Sequence, residues 1–139
     1  MKHICVFLAY KNFEDIKISF ESIYNNNIDF FIIENYSENS DKIKNYFITK
    51  RLIGYIQFVE NIALNAINIF IKQFYDLLQT YDFITITDGD LYLYDSTSMF
   101  NEIIQNLSID NVIISSCSLY KDNHYKYSNP IVGIDKYIE

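Results

Sequence analysis

Along the first ninety residues, apolar runs too continuous for half-exposed strands alternate with segments of helical period. His3–Ala9, Ile28–Ile33, Leu52–Val59 and Phe83–Thr87 read as strands covered on both faces, as parallel sheets require. Between the first two, Asn12 offers a helix cap with Asp15 at the third helical position, and Phe13, Ile16, Phe20 and Ile23 share one face. A short helix is expected near Asp41–Thr49. Asn61 can cap a longer one, whose apolar stripe runs Ala63, Ala66, Ile67, Phe70, Phe74, Leu77, Leu78, Tyr81. Further on come a short run Leu91–Tyr94, a helix carrying Met99, Phe100, Ile103, Ile104 and Leu107, and a fifth strand, Val112–Ser116. Periodicity is lost from Cys117, with a last strand expected within Ile131–Ile138. Such alternation predicts an α/β fold, a single domain with a mainly parallel sheet and flanking helices. Residues 1–116 would form its core and 117–139 an irregular closing tail.

Composition narrows the function classes. A chain of 139 residues, half of them apolar, is long enough for one real core. The net charge of −7 leaves no basic stripe to neutralise nucleic-acid phosphates. An anionic ligand would therefore need a cation or backbone amides. Cys5 and Cys117 show no metal-type spacing and read as buried free thiols in a reducing compartment. The apolar stretch Ile4–Tyr10 is too short for a signal peptide, and no run approaches the ~20 residues of a membrane span. A cytoplasmic protein without a transmembrane segment is expected.

Polar clusters follow each strand: Ala9-Tyr10-Lys11-Asn12, Glu34-Asn35-Tyr36-Ser37, Glu60-Asn61 and Asp88-Gly89-Asp90. In open parallel sheets the ligand sits outside the carboxyl ends of the strands, where the strand order reverses. Two carboxylates one residue apart in that position are costly to leave unpaired, and a hard divalent cation is the simplest partner. Gly89 would let the backbone bend so that Asp88 and Asp90 approach one ion. The competing reading is a solvated Asp-Gly turn between two strands. Asn61 reads first as a helix cap, and capping can coexist with contact to an anion. Lys11 is a candidate phosphate contact, although a lone lysine is commonly solvated.

In this order the chain resembles a GT-A glycosyltransferase of the family-2-like kind, with the Rossmann-like nucleotide-diphospho-sugar transferase fold in a minimal version. The matching segments are Ile4–Tyr10, Phe31-Ile32-Ile33-Glu34-Asn35-Tyr36-Ser37, Val59-Glu60-Asn61-Ile62-Ala63 and Asp82–Asp90, the last carrying the family's DXD signature. The likeness covers roughly residues 3–116. It implies that Asp90 is the direct ligand of Mn2+ or Mg2+, and that Asp88 binds the ribose or reaches the ion through water. It also implies that Ala9 and Tyr10 pack on the nucleobase and that Glu34 accepts a base N–H, favouring uracil. His124 is a candidate third metal ligand, by likeness to members that complete the metal shell from the tail. Two departures stand out. Ala63 occupies a position the family usually gives to glycine, and the family normally continues further, to supply the acceptor site and the general base of inverting members.

The expected function is a metal-dependent hexosyltransferase using UDP-glucose or a similar UDP-sugar donor. Its acceptor is unidentified, and slow transfer to water is expected as a side reaction. The alternative is a non-catalytic nucleotide-sugar-binding module, or the donor half of a complex whose partner protein or second copy brings the acceptor site. A hydrolase or nucleotidyltransferase is disfavoured by the absence of a glycine-rich phosphate loop.

Overall fold

β1 (His3–Ala9) is buried at all seven positions, the burial expected of a strand flanked by neighbours and covered on both faces. The structure, a computed structural model, describes residues 2–89, 100–101 and the paired residues 113–114, 118–119, 125–126 and 132–133. The chain divides into two compact units, Met1–Tyr94 and Asp95–Glu139.

In the first unit β1 is followed by α1 (Phe13–Ile23), β2 (Asp29–Asn35), α2 (Ser40–Phe47), β3 (Gly54–Phe58), α3 (Asn65–Gln73), a single turn α4 (Tyr75–Leu78) and β4 (Phe83–Asp88). The four strands form one all-parallel sheet in the order β3-β2-β1-β4. The α/β class and the parallel sheet with flanking helices are therefore as the alternation predicts.

Period-two alternation sends successive side chains to opposite faces. One face carries Phe7 and Phe30, which meet Phe20 of α1 and Phe47 of α2; Phe20 lies 5.3, 5.2 and 4.9 Å from the rings of Phe7, Phe30 and Phe47. The other carries Ile4, Val6, Leu8, Phe31 and Ile33 against Ala66 and Phe70 of α3 and Leu78 of α4. On β4 the residues of that second face, Ile84 and Ile86, stay 47% and 45% exposed.

α1 starts as expected: Asn12 Oδ1 accepts from the Glu14 amide at 2.9 Å. The long helix expected from Asn61 to Tyr81 does not. Its cap position is Leu64, with no side-chain bond, and the run breaks at Phe74 (φ −114°). Phe74 leaves helical geometry yet keeps its ring on Phe31 and Phe70, at 4.8 and 5.1 Å.

In the second unit, Phe100 and Asn101 are helical and Phe100 is buried. β5 (Ile113–Ile114) pairs antiparallel with β8 (Val132–Gly133), and β6 (Ser118–Leu119) with β7 (Tyr125–Lys126). The β6–β7 pair falls where the sequence pattern reads as loop. Among the described residues no helix is long and apolar enough to cross a membrane.

Candidate functional site

The chain lays down β1, β2 and β3 in one direction, then returns to place β4 on the other side of β1. The order thus reverses between β1 and β4, where open parallel sheets leave a crevice at their carboxyl ends. Register makes these ends flush: Leu8 pairs with Asp88, Ala9 with Glu34 and Glu34 with Gln57. The loops after all four strands therefore leave from one rim.

Three of those loops turn through left-handed, non-glycine residues: Lys11 (φ 67°), Tyr36 (φ 57°) and Ala63 (φ 50°). Each costs about 1–2 kcal/mol relative to an ordinary conformation. Ala63 is the residue that stands where the resembled family writes glycine, and its backbone adopts the conformation glycine favours.

Hydrogen bonds tie these loops together. Asn61 Nδ2 donates to the Tyr10 hydroxyl at 3.0 Å, and Asn61 Oδ1 accepts from the Ala63 amide at 2.9 Å and from Asn35 Nδ2 at 3.0 Å. Asn35 Nδ2 also reaches the Ala63 carbonyl at 3.3 Å, while its Oδ1 accepts from the Ile62 amide at 3.0 Å. Asn61 is consequently not the helix cap expected. Its carbonyl holds a local turn two residues on, and the left-handed Ala63 breaks helical geometry just before Leu64, so that α3 begins only at Asn65. Tyr10 is half-buried, and the exposed Lys11 sets its ammonium 5.0 Å from the centre of the Tyr10 ring. Ala9 is fully buried, so its side chain is core.

Glu34 is also fully buried, on the face opposite to Asn35. Its Oε2 accepts the hydroxyl of Tyr55 from β3, and its Oε1 has no protein partner. Burial, followed by the bond and charge of Glu34, pushes the Tyr55 phenol well above its usual range, keeping it a neutral donor. A buried carboxylate oxygen without a donor is expensive, and native proteins keep few such groups. Ser37, three residues on, is buried with its hydroxyl likewise unpartnered.

At the switch point Asp88 closes β4 and is exposed; its carbonyl accepts from the buried Ser19 of α1 at 3.4 Å. Gly89 is buried, and its φ is not left-handed, so a tight left-handed bend is not why glycine stands there. A Cβ at this position would lie 2.7 Å from the Leu8 carbonyl oxygen and 3.3 Å from Ala9 Cα. Glycine lets the strand end pass against β1. Asp90 and His124 lie outside the described residues, as do Cys117 and the helix positions beyond Asn101. Among the described residues no three His, Cys, Asp or Glu side chains cluster in metal-binding fashion. An open depression of about 600 Å3 along α3, lined by Ile62, Asn65, Asn68, Ile69, Ile71 and Lys72, contains none of the expected ligand residues.

Tyr10, Glu34, Asn61 and Asp88 are thus all placed at or beside the carboxyl rim, with Lys11 against Tyr10. Asn35 and Tyr55 were not singled out by the sequence pattern. Asn35 reads there as a strand-ending polar residue and Tyr55 as one aromatic in an apolar run. The only available signal was the adjacency of Asn35 to Glu34.

These features define an α/β protein with a parallel sheet and a polar carboxyl rim. No protein-family model matches the chain. It is 34% identical over 130 residues to "Uncharacterized protein L142" of Acanthamoeba polyphaga mimivirus, an alignment covering 86% of this chain and 26% of that protein. "Uncharacterized protein L137" and "Uncharacterized protein L138" of the same virus are 35% and 34% identical, again over 86% of this chain but over 18% and 15% of their own lengths. The chain therefore spans about a quarter or less of each of these curated relatives.

Proposed function

We propose that the chain is a GT-A-like donor-binding domain of a metal-dependent glycosyltransferase that uses a UDP-hexose such as UDP-glucose. The observation that carries this reading is the reversal of strand order between β1 and β4, with Tyr10 beyond one strand end and Asp88 and Gly89 at the other. Tyr10, held by Asn61, offers an aromatic surface for a base. Glu34 Oε1 is an acceptor in need of a donor, which the N3–H of uracil would supply. Asp88 and Asp90 are hard oxygen ligands of the type Mn2+ and Mg2+ prefer, and these two side chains would hold the ion. The ion, when bound, would neutralise the leaving diphosphate. Lys11, its ammonium set over the Tyr10 ring, would face the diphosphate from the β1 side.

The direct test is incubation with UDP-glucose and Mn2+, followed by assay of released UDP. Turnover that Asp90→Ala abolishes while the fold survives is expected. No release from any of several UDP-sugars, or an unaltered metal response in the variant, would sink the reading.

A second reading has its own support. Since the relatives are several times longer than the aligned region, this domain would bind nucleotide-sugar while other parts or partners supply the acceptor site. Calorimetry showing tight Mn2+-dependent UDP binding without turnover distinguishes it.

A further inference from the structure

We infer that Tyr55 is a positioning residue that fixes the orientation of the Glu34 head group toward a nucleobase edge at this site. The inference rests on the donor-binding reading above and deepens it. Tyr55 leans diagonally across the β2–β3 pair: it sits opposite Ile32 in register, one pleat before the Glu34–Gln57 pair. Diagonal neighbours of this kind are within reach of a long aromatic side chain. Its ring rests 6.2 Å from that of Phe47, which limits where the hydroxyl can go. The hydroxyl donates to Glu34 Oε2, and among the described residues no other side chain or amide holds this carboxylate. Tyr55 therefore holds the head group by one of its two equivalent oxygens and leaves the other over. The remaining oxygen, Oε1, can only accept while the carboxylate is ionised. It matches a base that presents an N–H at that edge, as uracil does at N3. It mismatches cytosine, whose N3 is an acceptor.

Glu34→Gln separates orientation from mere presence. A tyrosine O–H needs an acceptor, so Tyr55 would take the amide oxygen and turn the NH2 toward the ligand. The preferred base edge then inverts. With Phe at position 55 nothing would decide between the two amide orientations, and the inversion would disappear. Simple structural support would produce no such reversal.

The experiment is calorimetric titration with UDP, CDP and pyrophosphate, each with Mn2+. The wild type is expected to prefer UDP over CDP by about tenfold or more, one well-placed charged hydrogen bond. Glu34→Gln should prefer CDP, and Tyr55→Phe/Glu34→Gln should bind both about equally, with pyrophosphate affinity unchanged throughout. The double variant carries no buried charge, so it avoids the unpaired carboxylate that Tyr55→Phe alone would leave. A UDP preference that Glu34→Gln merely erases overturns the orienting role of Tyr55, as does an inversion that survives the loss of the hydroxyl. A wild type that binds pyrophosphate and both nucleotides alike overturns the inference but leaves the metal–diphosphate reading standing. If it binds neither nucleotide nor pyrophosphate, both fall together.

Discussion

Single atoms decide the outcome at two rim positions. At Gly89 the obstacle is the Leu8 carbonyl, 2.7 Å from where a Cβ would stand. Backbone cannot step aside as a side chain can, so Gly89→Ala should destabilise by ~1–3 kcal/mol, the range for overpacking. Urea denaturation checks this, and wild-type stability in the variant would refute the close approach. At Ala63 the sign is opposite. Glycine relieves a left-handed alanine, so Ala63→Gly should stabilise by up to ~1 kcal/mol, offset in part by greater freedom of the unfolded chain. A clear loss of stability would contradict the conformation described. The place of Glu34 at the end of a buried strand was legible in the sequence. Its partner Tyr55 was not, because a cross-strand diagonal depends on register, and register between strands twenty residues apart leaves no mark on one sequence.

At the level of elements, the strands were more legible than the helix that follows β3. Continuous burial selects for an unbroken apolar run, visible in Ile4–Ala9 and Phe30–Ile33. Helical period is a weaker guide to boundaries: the stripe packs against the core from Ala66 to Tyr81, but Ala63 is exposed and left-handed and Phe74 divides the run. Asn35 reaches out of the sheet to capture the loop, so the start of α3 is set from β2. The Asn35→Ala variant would leave the part-buried Ile62 amide without its acceptor and remove one of the bonds to the Asn61 side chain. A cost of ~1–3 kcal/mol is expected, with faster hydrogen exchange at Ile62 and Ala63 and little change in β1. Uniformly faster exchange across the sheet would show that Asn35 supports the core instead of the loop.

For the molecule as a whole, the alternation of strands and helices in the first unit was enough to anticipate a parallel sheet and the edge on which polar residues gather. In the second unit β5 and β8 fall within the expected strands Val112–Ser116 and Ile131–Ile138, whereas β6 and β7 were not anticipated, since two-residue strands are too short to carry a period. Acid sensitivity is a property of the same whole. His3 is buried at the amino end of β1, its Nε2 2.8 Å from Thr85 Oγ1 of β4, and desolvation lowers its pKa below the usual value. The unfolded chain then binds the proton more readily, so stability is fully present above about pH 6.5 and is lost as pH falls through the lower folded value. Urea midpoints should drop between about pH 7 and pH 5.5 in the wild type and stay flatter in His3→Gln. Equal slopes would remove His3 as the cause.

The β1–β4 pairing joins parts of the chain that are far apart, as the Lys2 amide donating to Asp82 Oδ2 across eighty residues makes plain. Closing so large a loop carries the greatest entropic penalty in the sheet, and pairings of this range slow folding. The rim between these two strands should consequently be among the last parts to assemble during refolding. Exchange protection of the β4 amides would then lag behind the return of helical circular dichroism, giving a clock for the final docking event.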